Sequence, residues 1–128
     1  MTQPLPSHTE DNPLGVETQE VNGVHVFRFH NAKILSDHSV QEMGNRLLTC
    51  LATISDPPHL AISFEGVQFF SSAAIGKLIM IQRKVKERSG ELLLFDVNAT
   101  TQDAFRVAHL QDYFKFYPDL PAALAACS

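Results

Sequence analysis

The sequence predicts an α/β fold, a mixed β-sheet with helices in the order ββαβαβαβα, from three observations. Asn22-Gly23 joins two alternating apolar segments, a strong short hairpin signal that supplies one antiparallel pair. Amphipathic helical patterns separate the later apolar runs, and strands separated by helices need parallel crossovers. Residues 60–64 are apolar on both faces apart from Ser63, as a central strand of a parallel sheet is.

Residues 1–13 carry three prolines and almost no apolar side chains, so they read as a flexible arm that cannot bury enough surface to order itself. Residues 14–128 form the domain, one core being the expectation for a chain of 128 residues. Val16 and Thr18 alternate with charged or amide residues in the first strand, and Val24, Val26, Phe27 and Phe29 continue the second. Val40, Met43, Leu47, Leu51 and Ile54 follow at spacings of three and four, one apolar helical face. Two starts are open to this helix: Ser36 as its cap, or Ser39 with Glu42 as a capping box. Gly44 inside it costs roughly 1 kcal/mol against alanine, and close packing on the sheet is the expected reason. Asp56-Pro57-Pro58 ends the element.

The apolar run 60–67 then feeds through Gly66, Phe69-Phe70 and Ser71-Ser72 into a second helix carrying Ile75, Leu78, Ile79, Gln82 and Val85. That helix is expected to reach Ser89, with Gly90 at the C-cap position. Arg83, Lys84, Lys86 and Arg88 crowd its last turns and read as a solvated face complementing the negative helix end. Residues 91–97 are a further buried strand, 98–101 a turn with capping residues, 102–108 a short helix and 114–117 an edge strand. Pro118 and Pro121 bracket the start of a last helix through Leu124 and Ala126.

The serine junction is where chemistry concentrates. A hydroxyl there stands where first-turn N–H groups have no intrahelical partner and the helix dipole is positive. One reading is an N-cap, worth about 1 kcal/mol; the other is an acceptor for phosphate, since a helix N-terminus favours anions. Sequence physics by itself favours the cap. Only one of Ser71 and Ser72 can present its hydroxyl outward while the other turns toward the loop or cap. Phe69 and Phe70 belong most simply to the core, although one of an alternating pair can face out as a partner anchor.

Other function classes find little support. Apolar residues make up 45% and charged residues 19%, a balance typical of globular domains. The net charge of −4, with no basic stripe, argues against direct nucleic-acid binding. No apolar run approaches the roughly 18 residues of a membrane span, and residues 1–13 do not read as a secretory signal. Cys50 and Cys127 form no CxxC or disulfide framework, which fits a reducing cytoplasm. GxSxG, a Gly-rich phosphate loop and HExxH are all missing, so an enzyme is not expected. The six histidines show no metal-ligand spacing and the carboxylates are scattered, so no cofactor is implied.

Several segments together match a known pattern: Ile34-Leu35-Ser36, the run 60–67, Ser71-Ser72-Ala73-Ala74-Ile75-Gly76, Gly90-Glu91-Leu92, and Ala108-His109-Leu110-Gln111-Asp112-Tyr113-Phe114. Over residues 14–126 the chain resembles the STAS domains, the family of bacterial anti-sigma factor antagonists and of the cytoplasmic tails of sulfate transporters. The family pattern at the junction is Asp-Ser-Ser/Ala-Gly-Leu-Gly, whose serine after the aspartate is phosphorylated; here that serine is Ser72. Three positions depart from it. Ser71 stands where the aspartate is usual, removing a charge that could orient the hydroxyl or the kinase. Ala74 replaces the usual glycine and tightens backbone access, and Ser36 replaces a frequent aspartate, with Asp37 next to it.

The resemblance implies a binding switch. In its unphosphorylated form such a protein binds an anti-sigma factor that is also a serine kinase and so frees a sigma factor. Phosphorylation releases the partner and a serine phosphatase resets the switch. Carried onto this chain, the phosphoacceptor is Ser72, and the partner-binding residues are Ser36, Asp37, Phe70, Ser71, Ser72, Ala73 and Lys77. The alternative is an unphosphorylated STAS interaction module in a stress-signalling or lipid- or anion-transport assembly.

Overall fold

The computed structural model of the chain describes residues 15–29, 34, 35 and 37–127. The arm expected at 1–13, the domain start at Leu14 and Ser36, one of the two caps open to the first helix, lie outside the described residues, as do the side chains of Phe69 and Phe70; the other start, a capping box at Ser39, does not hold, because the helix already begins at Asp37. Strands β1 (Val16–Val21) and β2 (Val24–Phe29) form the expected antiparallel hairpin, closed by the pair Val21 and Val24. Its two turn residues, Asn22 and Gly23, have φ of 53° and 83°, the positive values that a hairpin matching the strand twist requires.

Two short strands follow that the predicted order lacks: β3 (Ile34–Leu35) and, later, β5 (Phe69–Phe70), paired parallel to each other in a separate two-stranded sheet. Between them lie helix α1 (Asp37–Thr53) and strand β4 (His59–Ser63). After β5 come α2 (Ser72–Glu87), β6 (Glu91–Phe95), α3 (Ala99–Val107), β7 (Lys115–Tyr117) and α4 (Leu120–Cys127). The main sheet has five strands in the order β1-β2-β4-β6-β7, parallel except for the hairpin, so β4 is central and β7 is an edge. Apart from the added β3 and β5, this is the mixed α/β arrangement the sequence predicts.

Strand alternation divides the apolar side chains between two faces. Phe27, Leu60, Ile62, Leu92 and Leu94 lie in one cluster with the helical stripe Val40, Met43, Leu47 and Leu51 of α1 and Leu78, Ile81 and Val85 of α2. Val24, Val26, Ala61, Leu93 and Phe95 meet Ala123 of α4 in a second cluster. Phe105 of α3 is fully buried and makes edge-to-face contacts with Phe114 and Phe116, at centroid distances of 5.3 and 5.1 Å. α3 is thereby fixed to the edge of the sheet.

Four local expectations are corrected by the packing. Helix α2 stops at Glu87, and the left-handed residue after its cap Arg88 is Ser89, with φ of 64°, not Gly90. Gly90 sits one position further on; its N–H closes the helix on Val85 O at 2.9 Å, while Ser89 N–H bonds Lys86 O at 3.0 Å. Gly44 makes room for α2, not for the sheet: a Cβ there would lie 2.7 Å from Cδ of Lys77. Arg88 does more than complement its own helix end. Its guanidinium donates to Leu51 O at 2.8 Å, to Ile54 O and to the Asp56 carboxylate, closing the C-terminus of α1. Finally, α3 begins at Ala99 instead of residue 102, because Asn98 caps it: its Oδ1 accepts from Thr101 N–H at 2.7 Å.

Asp96, just past β6, has a left-handed φ of 59° and a carboxyl pushed above its ordinary range. Burial is the main cause, followed by repulsion from Glu65, with Arg28 opposing and Asp119 adding to the rise. A carboxyl whose pKa is raised by folding weakens the fold when ionised, and the penalty disappears once both states are protonated. Asp96→Asn, which keeps the tolerance for positive φ, is therefore expected to raise stability at pH 7. In urea titrations the advantage should vanish below about pH 4.

Candidate functional site

Beyond β4 the chain turns sharply. Ser63 Oγ accepts from Glu65 N–H at 3.2 Å and Phe64 O accepts from Val67 N–H at 3.0 Å, with Gly66 at φ of 86° in the turn's third position. β5 then pairs with β3 in the register Ile34 with Phe69 and Leu35 with Phe70. Each strand is followed two positions later by the first residue of a helix, Asp37 of α1 and Ser72 of α2. The small parallel sheet therefore sets two helix N-termini side by side. Asn98 brings in a third: while its Oδ1 caps α3, its Nδ2 donates to Val67 O at 2.8 Å in the segment leading to β5. One amide thus ties α3 to the serine junction.

The two serines have different environments. Ser71 is extended, φ −75° and ψ 162°, and its Oγ accepts from Ala74 N–H at 3.1 Å. Its carbonyl takes the first helical bond, from Ile75 N–H at 3.1 Å. Ser71 is the N-cap, and Ser72, the first residue of the helix, is exposed. The first turn carries no acidic residue to oppose an anion. A group on Ser72 Oγ meets the positive end of the dipole and first-turn N–H groups that lack intrahelical acceptors. Ser71→Ala is expected to cost about 1 kcal/mol of stability by losing the cap, about 4 °C in melting temperature for a domain of this size. Ser72→Ala should leave the melting temperature nearly unchanged.

The remaining residues expected at a binding surface are distributed as follows. Ala73 is exposed next to Ser72, and the backbones of Asp37 and Phe70 lie in α1 and β5 at the junction. Lys77 is half-buried and directed to α1, its stem over Gly44, so the fold does not bring it together with Ser72. What the sequence reading missed is the contribution of α3. Ser72 and Ile75 share a surface depression of about 380 Å³ with Thr100, Asp103, Ala104 and Val107. The matched spacing of Ile34-Leu35 before Asp37 and of Phe69-Phe70 before Ser72 was the available signal for the β3–β5 pairing. Nothing in the chain's local pattern marks the second hydrogen bond of Asn98. Among the described residues no group of three or more His, Cys, Asp or Glu side chains is placed to hold a metal ion, and no helix is long and apolar enough to cross a membrane.

The family model for the STAS domain matches residues 15–123. No curated protein matches the sequence. Among solved structures, an anti-sigma-factor antagonist (STAS) domain protein from Planctomyces limnophilus superposes with a TM-score of 0.82 at 24% identity, covering 88% of this chain and 98% of that one. The Bacillus cell fate determinant SpoIIAA in its phosphorylated form gives 0.63 at 16% identity, covering 88% and 99%. The murine anion transporter Slc26a9 gives 0.69 at 12% identity, covering 84% of this chain and 18% of the transporter. At these identities the likeness is one of fold. The family match is different in kind: it runs from the first strand of the hairpin into α4, through every element that builds the serine junction, and the chain belongs to the STAS domain family.

Proposed function

We propose that this STAS domain is an anti-sigma factor antagonist, a protein-binding switch set by phosphorylation of Ser72. The observation that carries the reading is the division of labour at the junction. Ser71 holds the helix cap, so the exposed Ser72 hydroxyl is available for modification without loss of the cap. A phosphate adds roughly −1.5 to −2 charges at pH 7. At a helix N-terminus that charge is tolerated by the fold, but a partner surface that is acidic or apolar rejects it. A phosphorylated form of SpoIIAA has this fold, which supports the compatibility of the two.

In this reading the unmodified domain, residues 14–128, binds an anti-sigma factor serine kinase in the cytoplasm and frees a sigma factor for transcription. Phosphorylation by the kinase releases it, and a serine phosphatase restores it. The domain itself catalyses no turnover, needs no cofactor and touches neither nucleic acid nor membrane. A second reading, an unphosphorylated interaction module, draws support from the likeness to the transporter.

Incubation with each kinase-type anti-sigma factor of the host and ATP, followed by mass spectrometry, separates the two. The expected result is a single phosphate on Ser72, lost in Ser72→Ala and retained in Ser71→Ala. No phosphate, or one elsewhere, contradicts the switch and leaves the interaction module.

A further inference from the structure

The strand that delivers Ser71 and Ser72 is weakly held by its own pairing. β5 pairs with β3 in a two-stranded sheet separate from the main one, and a ladder of two residues a strand is marginal by itself. Helix α3, by contrast, is fixed to the sheet edge by the buried Phe105 ring against Phe114 and Phe116. The side-chain amide of Asn98 joins the two. Its Oδ1 accepts from Thr101 N–H in the first turn of α3 at 2.7 Å, and its Nδ2 donates to Val67 O at 2.8 Å. Thr101 N–H only donates and Val67 O only accepts, so the position calls for an acceptor and a donor on one short planar group. Asparagine supplies both. Aspartate and serine rank with it as caps but carry no N–H to reach Val67. The rest of Val67 is already fixed, its side chain in the core and its N–H on Phe64 O at 3.0 Å.

We infer that Asn98 is a positioning residue for the Ser72 acceptor: it passes the fixed position of α3 to the chain that presents the hydroxyl. The inference rests on the proposed phosphorylation of Ser72 and adds to it a residue remote from the junction in sequence. Asn98 acts through Val67 and β5, not through a bond to either serine. In the transfer, Ser72 Oγ attacks the γ-phosphorus of ATP, ADP leaves, and the hydroxyl proton passes to a base of the kinase. Such a displacement needs the attacking oxygen close and in line, and a misplacement of about 1 Å can cost on the order of 100-fold in rate. A junction cut loose from α3 still docks, but holds its hydroxyl in line for less of the time. The signature is a fall in kcat with KM nearly unchanged.

The test uses the full chain, the host anti-sigma factor kinases with ATP, and amide hydrogen exchange by NMR, at a temperature where every variant is folded. Asn98→Ser and Asn98→Asp both keep a cap for α3 and both lose the bond to Val67; the serine variant controls for the charge of the aspartate. Each is expected to lower kcat for Ser72 phosphorylation about tenfold, with KM within about twofold of wild type. Exchange at Ala74 N–H, which reports the Ser71 cap, should quicken about tenfold while Thr101 N–H stays protected. Gly90→Ala, at the other end of β6 with the Asn98 bonds intact, should lower the melting temperature more than either variant and leave kcat unchanged. Wild-type kcat and wild-type Ala74 exchange in the Asn98 variants overturn the inference and leave the switch standing. A raised KM at unchanged kcat overturns it in favour of Asn98 as a direct partner contact. A kcat that falls equally in Gly90→Ala overturns it in favour of a general effect of stability. Absence of Ser72 phosphorylation in wild type overturns the switch itself, and the inference with it.

Discussion

Ser72→Asp is expected to weaken partner binding by about 30-fold, equivalent to about 2 kcal/mol, with the fold intact. The position explains both halves of the result. A carboxylate in the first turn of α2 interacts favourably with the helix dipole, and the cap belongs to Ser71, whose bond to Ala74 N–H the substitution leaves in place. Stability should therefore be unchanged or slightly raised. At the proposed docking surface the same carboxylate is to be dehydrated against the partner, and a charge left unpaired in an interface is costly. Ser72→Ala introduces no charge and is expected to bind normally but to resist release. Calorimetry with circular dichroism on the variants decides the point. Unchanged affinity in a folded Ser72→Asp would remove charge at this residue as the switch.

Gly90→Ala is expected to destabilise the domain by about 3 kcal/mol, at the upper end of overpacking effects. An added Cβ would lie 1.8 Å from Pro58 O and 2.8 Å from Pro58 C, closer than any real contact. The obstructing atom is backbone and cannot swing aside. It is also already in use, because Pro58 O accepts from Glu91 N–H at 3.0 Å and so opens the β4–β6 pairing. Relieving the clash means separating the two central strands at their first bond or breaking the Gly90 bond that closes α2. Gly44 offers the contrast: the nearest atoms to its missing Cβ belong to the flexible Lys77 side chain. Urea denaturation of Gly90→Ala checks the figure, and a loss below about 0.5 kcal/mol would show that the β4–β6 start can relax around a methyl group.

The parts of the structure written in local pattern were legible. Alternation in β1 and β2 around Asn22-Gly23 specified the hairpin, and the spacing of Val40, Met43, Leu47, Leu51 and Ile54 specified the inner face of α1. The all-apolar run beginning at Leu60 specified a central strand. What escaped depends on pairing at a distance. Strands of two residues have no period to detect, so β3 and β5 were invisible as strands even though they align the helix starts. Arg88 reads as one more basic residue at the end of α2, and only tertiary packing turns it toward the carbonyls of Leu51 and Ile54. Ser89 adopts the left-handed turn position usually given to glycine because Gly90 is needed one step later, against Pro58.

At the site, the identity of the cap and of the exposed hydroxyl was undecidable from two adjacent serines. The backbone settles it, since an extended Ser71 directs its Oγ back to Ala74 N–H. The half of the depression supplied by Thr100, Asp103 and Val107 comes from a helix that follows the junction by some thirty positions in sequence and is fastened to it through Asn98.

The proposal that a phosphate on Ser72 governs binding is tested most directly by one titration. The full chain, unmodified and quantitatively phosphorylated at Ser72, is titrated calorimetrically with the same anti-sigma factor kinase in the absence of ATP. The expected result is tight binding by the unmodified protein and at least a 30-fold loss on phosphorylation, reversed when a serine phosphatase removes the group. Equal affinity of the two forms would contradict it.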